Sequence, residues 1–183
     1  MKKNIIIASS ALLLSSVFFV INDAIINYLS SLNIQFYHFI FYGTPAYLIV
    51  PIYLLITGKL KINLKCENYF IPLLRSLLFL PLPYITFITL KNISLPEYTT
   101  LNMSSPVFAV LISLFFLKEK FNFYILFSLF FGTVGVVFVI QPGFEAYNSY
   151  FLLVLFAAIL ITISQVLVNK YSNATTALGF FIY

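Results

Sequence analysis

The sequence has very little charge. Of its 183 residues 62% are hydrophobic and 8% are charged, whereas a soluble domain carries roughly 25% charged residues. A chain with so few charged side chains lacks the residues to cover a surface that faces water, so most of its surroundings must be lipid. The composition therefore predicts an integral membrane protein whose general partner is the lipid bilayer.

Residue types that build several kinds of site are also scarce. Cys66 is the only cysteine, which excludes an intrachain disulfide and a cysteine-based metal site. His38 is the only histidine, and the sequence holds no zinc motif, Ser-His-Asp set or phosphate-binding loop. The net charge of +5 is not gathered into a basic patch with interleaved aromatic residues, which argues against a nucleic-acid partner. We therefore expect no enzyme activity, no metal and no cofactor.

Long apolar runs make up most of the chain. A helix that spans a membrane needs about 20 apolar residues. Six stretches meet this length approximately: 5–26, 35–57, 69–90, 98–117, 123–140 and 150–168. A seventh begins near Thr175. The first also resembles a signal peptide, but no convincing cleavage site follows, so we interpret it as an uncleaved helix. The pattern predicts an all-α, polytopic membrane helix bundle.

The basic residues fix an orientation. With the N-terminus in the cytoplasm, the lysines fall almost entirely on the inner side, only Lys91 faces out, and Arg75 lies near the inner end of the third span. We therefore predict a multi-pass protein of the cell inner (plasma) membrane. Four residues are interpreted as cytoplasmic anchors: Arg75, Lys118, Glu119 and Lys120. A role in gating remains the alternative for the run 118–120.

Prolines interrupt several spans near their middle. Pro106 offers no N–H to the carbonyl of Asn102, and Pro81 likewise frees the carbonyl of Leu77. In lipid such a carbonyl needs another partner, which a neighbouring helix, a hydroxyl, water or a ligand supplies. The half of the fourth span before Pro106 is also polar, up to Ser105. Breaks at similar depth in several helices favour a transport site between them.

Small residues recur at helical spacing on the fourth and fifth spans. Stripes of this kind let membrane helices approach each other closely. We interpret them as helix-packing positions: Ala109, Ser113, Ser128, Gly132 and Gly135.

Ionisable residues lie toward the outer ends of the spans. Asp23 continues a polar stripe on the first helix, and a carboxylate at that depth is costly, which indicates a function. An interfacial cap or a simple polar contact with Asn or Tyr is an equal alternative. His38, near the outer end of the second helix, is either a structural hydrogen-bond donor or a proton relay. We keep both residues as candidates for proton coupling.

The chain carries a weak internal repeat. Shifted by 142 positions, the first span resembles the sixth, with Asn27 on Asn169, Ser30 on Ser172 and Asp23 on Gln165. Five spans lie between the copies, an odd number, so the second copy enters the membrane from the opposite side. Inverted repeats of this kind are typical of secondary transporters.

The stretch "LNMSSPVFAVLISLFFLKEKFNFYILFSLFFGTVGVVFVIQPG" resembles the end of an EamA domain of the drug/metabolite transporter superfamily. The resemblance includes a proline within the fourth helix (Pro106), an acidic residue that closes it (Glu119) and a Gly-x-x-Gly-Val pattern in the fifth. "LLRSLLFL" and "NDAIINYLSS" resemble its other helices, particularly in members that import S-adenosylmethionine. Such members often carry a cation and an arginine where Asn27 and Tyr42 stand here.

The resemblance implies a division of the chain and a function. It implies a first EamA-like domain over 1–143 and the start of a second over 144–183, truncated relative to the ten helices of full-length members. It further implies a secondary transporter that moves a small polar or zwitterionic metabolite by alternating access. The candidate substrate-binding residues are Asp23, Tyr42, Tyr84, Asn102, Ser105 and Gln165. A structural or assembly subunit that transports nothing is the alternative, and self-association stays open.

Overall fold

The computed structural model describes residues 2–32, 34–116, 123–140 and 148–183, and every regular element among them is a helix. The elements in chain order are α1 (Lys2–Ser31), α2 (Phe36–Tyr47), α3 (Ile49–Ile56), α4 (Leu60–Asn63), α5 (Phe70–Phe79), α6 (Leu82–Asn92), α7 (Leu95–Asn102), α8 (Ser105–Phe116), α9 (Phe123–Ile140), α10 (Tyr150–Lys170) and α11 (Ala177–Ile182). The all-α prediction is confirmed.

Several of these helices are long and apolar enough to cross a membrane. Within the described residues four stretches meet both criteria: Ser9–Ser31, Phe36–Ile56, Phe70–Asn92 and Tyr150–Lys170. In the region predicted as the fourth span the structure has α7 followed by α8, and the 18-residue α9 occupies the region predicted as the fifth. The chain is therefore a polytopic membrane helix bundle.

Three of the predicted spans consist of two helices each. α2 gives way to α3 at Leu48, α5 to α6 at Leu80 and Pro81, and α7 to α8 at Met103 and Ser104. The physical cause is proline, which removes one intrahelical hydrogen bond and clashes with the preceding turn. Pro106 stands at the second position of α8, in the first turn, where a missing N–H costs nothing.

The centre of the bundle is α10. It packs against α5, α6, α7 and α8, and six of its residues are buried: Val154, Ala157, Ala158, Thr162, Ser164 and Val166. Four of these six side chains are alanine, serine or threonine. Because such small side chains let helix backbones approach closely, α10 can pack against both halves of two broken spans, α5–α6 and α7–α8.

An apolar cluster joins α1, α6, α7 and α10 at the end of the bundle that carries Lys91. It contains Ile26, Phe87, Leu90, Tyr98 and Val154, and Leu90 and Val154 are each 1% exposed. At the start of α7, Ser94 and Glu97 form a capping box: the Ser94 N–H donates to Glu97 Oε2 at 2.9 Å. This cap fixes where the polar helix α7 begins.

We predict that the packing surface of α10 tolerates no added volume at Ala158, whose side chain is fully buried. Ala158→Leu forces its new atoms into occupied space, which typically costs about 1–3 kcal/mol. The midpoint of thermal unfolding of the detergent-purified protein is then lowered. Ala46→Leu, the same change at an exposed position of α2, is the matched control. Equal midpoints for the two variants would contradict the central place of α10.

Candidate functional site

The broken spans α5–α6 and α7–α8 both lie against α10, and their interruptions leave backbone groups outside the regular helical pattern. At the second interruption the Ser104 N–H donates to the carbonyl of Leu101 at 3.0 Å, and the Val107 N–H donates to the carbonyl of Ser104 at 2.9 Å. Each of these bonds joins residues three apart in the chain, in place of the four-residue spacing of an α-helix. The remaining groups need partners from outside the broken span.

One such partner is Thr162 on α10. Its hydroxyl lies 3.3 Å from the carbonyl oxygen of Ser105 and 2.7 Å from that of Ala158, and the side chain is fully buried. The single hydroxyl proton is shared between a carbonyl of its own helix and one at the start of α8. Thr162 therefore connects α10 to the interruption beside Asn102 and Ser105, both of which are half-buried.

Thr162 was not among the residues that the sequence singled out. Its signal was present, because Thr162 and Ser164 are polar residues within an otherwise apolar span. What the sequence lacks is the partner: only the packing of α10 across the broken span brings this hydroxyl to Ser105.

A second polar group lies in the outer part of the bundle. The hydroxyl of Tyr98, a buried residue of α7, lies 3.2 Å from Thr86 Oγ1 on α6. The half-buried carboxylate of Asp23 on α1 bonds to the side chain of Asn22 and interacts electrostatically with Tyr98. We call Asp23, Thr86 and Tyr98 the outer polar cluster, after the side of the membrane that the sequence predicts for it; it draws one group from each of three helices.

Asn27 ties α1 to α6 beside this cluster. Its side-chain amide donates to the carbonyl of Leu90 at 2.8 Å, and the buried Ser30 donates to the carbonyl of Asn27. Asn27 is therefore held by two helices, one turn beyond Asp23 on α1.

The other candidate residues lie around this region with different exposures. Tyr84 is half exposed and its ring meets Phe36 edge-on, with 5.2 Å between the ring centroids. Tyr42 is 76% exposed, and Gln165 is also exposed. Between described residues no hydrogen bond joins Tyr42, Tyr84 or Gln165 to the outer polar cluster. Their part in substrate binding stays a prediction.

His38 has an unsatisfied polar atom. Its ring lies 4.1 Å from that of Tyr37, centroid to centroid, and its Nδ1 atom is buried without a hydrogen-bond partner in the described structure. A buried polar atom without a partner is costly, which is consistent with either of the roles considered for this histidine.

Arg75 is a residue of α5 whose side chain reaches α11. Its Nη1 donates to the carbonyl of Phe180, its guanidinium stands 4.6 Å from the centre of the Phe79 ring, and its Nε is buried without a partner among the described residues. The other predicted anchors, Lys118, Glu119 and Lys120, lie outside the described residues.

The predicted packing positions differ in what surrounds them. Ala109 and Ser113 on α8 are half-buried, whereas Gly132 and Gly135 on α9 are exposed, with no described atom within 4 Å of an added Cβ. Of Ser128 only the backbone is described. Close helix packing at α9 stays a prediction.

One cavity lies at the other end of the bundle, between α8 and α10. Its volume is about 110 Å³. Its lining is mostly apolar: Ile112, Phe116, Ile163, Val166, Leu167, Lys170 and Tyr171. In the described part of the chain no three His, Cys, Asp or Glu side chains are grouped as metal ligands. The lining of the cavity includes no residue of the outer polar cluster.

We predict that the hydroxyls of Thr86 and Tyr98 stabilise the bundle jointly. Thr86→Val and Tyr98→Phe each remove one partner, so the double variant should lose less stability than the sum of the single losses. Such couplings in membrane proteins average about 0.6 kcal/mol. The measurement is the free energy of unfolding in mixed detergent for four proteins: the unmodified protein, the two single variants and the double variant.

Thr44→Val supplies the control for this cycle, since the Thr44 hydroxyl bonds only to a carbonyl of its own helix. The stability losses of Thr44→Val and Tyr98→Phe should add up in the double variant. Additivity of Thr86→Val with Tyr98→Phe as well would show that the two hydroxyls do not interact.

Comparison with known proteins adds a family to this geometry. A family model described as the EamA-like transporter family matches residues 2–141, which is more than half of the chain. Neither the curated proteins nor the solved structures yield a match.

Proposed function

We propose that this chain, which belongs to the EamA-like transporter family, moves a small polar or zwitterionic metabolite across the membrane by alternating access. Membership makes it a membrane transporter of the drug/metabolite superfamily. The substrate classes we propose are an amino-acid derivative, a nucleobase, a vitamin or a compound like S-adenosylmethionine.

The observation that carries the proposal is that two interrupted spans, α5–α6 and α7–α8, both pack against α10. Irregular backbone at membrane depth is tolerated where protein buries it or where it lines a water-filled cavity. In many transporters such broken helices supply backbone groups to the solute. Asn102 and Ser105 border the interruption that Thr162 contacts, so they are the residues we expect to meet the solute.

Asp23 gives the proposed site a charge. It is half-buried within α1, next to Asn22 and within electrostatic range of Tyr98, with no cation bonded to it in the described structure. An acidic residue inside a membrane bundle commonly marks a substrate or proton pathway. We infer that Asp23 attracts a cationic group of the solute or carries a coupling proton.

The lysines support an orientation with the N-terminus in the cytoplasm of the inner membrane. Lys65 and Lys170 lie at the same end of the bundle, because the segment around Lys65 is hydrogen-bonded to the segment that follows Lys170. Lys91 lies at the opposite end, in the last turn of α6. Cytoplasmic loops carry the excess of lysine and arginine, so the end with Lys65 and Lys170 is the inner one.

We predict that water reaches the interruption between α7 and α8. With Cys66 replaced by serine, Asn102→Cys and Ser105→Cys should react with a membrane-impermeant maleimide added outside cells. Ala157→Cys should stay unreactive, because Ala157 is buried in an apolar cluster with Leu82 and Ile85 that a polar reagent cannot enter. Unreactive cysteines at both test positions would favour the alternative, a structural subunit that transports nothing.

We predict that Asp23→Asn reduces uptake roughly tenfold or more, since it removes the charge while keeping the shape. Uptake is measured with radiolabelled S-adenosylmethionine, methionine, adenine and thiamine, using whichever accumulates. Asp23→Glu should retain part of the activity.

Glu97→Gln is the matched control, because it removes another outer carboxylate but keeps an oxygen for the capping box. Wild-type uptake by Asp23→Asn would exclude Asp23 from both proposed roles.

A further inference from the structure

Two segments far apart in the sequence are joined at the end of the bundle that carries Lys65. The first, residues 63–67, runs from the last residue of α4 into the link before α5. The second, residues 174–176, is the last part of the link between α10 and α11. Cys66 and Thr175 form an antiparallel bridge, and the Glu67 N–H donates to the carbonyl of Ala174 at 2.8 Å. We call this pairing the link latch.

Side chains reinforce the latch. Thr175 Oγ1 donates to the carbonyl of Lys65 at 2.9 Å, and Thr176 Oγ1 donates to the carbonyl of Asn63. The Tyr183 hydroxyl donates to the carbonyl of Leu64, which lies between them, at 3.0 Å. Three consecutive carbonyls of the first segment thus accept hydrogen bonds from residues 175–183.

The packing behind the latch is tight. Thr175 is buried, and a Cβ added at Gly179 of α11 would lie 2.1 Å from its hydroxyl oxygen. Glycine is therefore required for α11 to lie this close to the bridge. Arg75 adds a hydrogen bond from α5 to the carbonyl of Phe180, so α11 is held against the third span as well.

The strength of the latch suits reversible closure. Lys65 and Glu67 are exposed, and their ion pair, at 3.9 Å with side chains 75% and 68% exposed, contributes little. The hydrogen bonds lie at the edge of the bundle, where water can replace each of them at small net cost. Several such bonds together shift the equilibrium toward the closed latch, and the open state remains accessible.

We propose that the link latch is the inner gate of the transporter, an inference that rests on the proposed function. Residues 63–67 belong to the half predicted over 1–143 and residues 174–176 to the half predicted over 144–183. Rocking of one half against the other changes the distance between these segments, so the latch must open when the solute path opens inward. A closed latch then corresponds to a path open to the outside.

The native Cys66 makes the gate testable, because it needs one cysteine opposite it. The hydrogen bond from Glu67 N to Ala174 O leaves Cys66 and Thr175 facing each other as a pair without mutual hydrogen bonds. The Cα atoms of such pairs lie about 4.5 Å apart. Disulfides form between Cα atoms about 4.4–6.8 Å apart. Thr175→Cys should therefore cross-link to Cys66 when a mild oxidant is added.

The first measurement counts free thiols by their reaction with a polyethylene-glycol maleimide in membranes. Oxidation should remove both thiols of Thr175→Cys about tenfold more completely than those of Ser172→Cys, the control in the same link but off the bridge. Reductant should restore them. Cross-linking no greater than in the control would overturn the latch, whatever the transport activity.

The second measurement is uptake of the radiolabelled solute that accumulates. If the latch is the gate, oxidised Thr175→Cys loses uptake and reductant restores it, while Ser172→Cys is unaffected. A cross-linked protein that still takes up solute overturns the gate and leaves the proposed function intact. If the reduced protein accumulates none of the four solutes, the proposed function and the gate both fall, and the thiol count still reports whether the two segments pair.

Discussion

The structure depends on one constraint: a backbone N–H or C=O group in hydrocarbon must find a partner within the protein. Unbroken helices meet it by themselves, as α1 does over 30 residues. The broken spans do not, so they require a neighbour. α10 packs against both α5–α6 and α7–α8, and its buried Thr162 hydroxyl supplies a partner to a carbonyl at the start of α8. The breaks and the packing of α10 are therefore one structural feature.

The position of α10 also bears on how the bundle could move. The resemblance assigns α10 to the second EamA-like half, yet it packs among helices of the first. Its small buried residues, such as Ala157 and Ala158, let the neighbouring helices approach it closely. The link latch is a further restraint on movement, because hydrogen bonds and the close packing of Gly179 on Thr175 hold the two segments together.

The apolar length of the spans and the places where they break were predictable, because both are local: hydropathy sets a span and proline ends a helix. The contacts of Thr162 with Ser105 and of Asn27 with Leu90 were not, since each depends on the rotation and height of one helix against another. The grouping of Tyr42 and Gln165 with Asn102 came with the family resemblance, and it stays a prediction. The link latch has no sequence signal, because any backbone carbonyl can accept.

The two ends of the bundle are held by different kinds of interaction, and the difference bears on which end a solute contacts first. At the outer end Asp23 meets Asn22 and Tyr98, polar groups that can exchange partners with a solute. At the inner end successive carbonyls are already bonded to threonine and tyrosine hydroxyls. A solute that offers donors to the outer polar cluster gains from its presence there, whereas at the inner end it must first displace bonds within the protein. In the orientation and mechanism proposed above, first contact then comes from outside, and opening of the inner end is the step for which the solute's binding energy is needed.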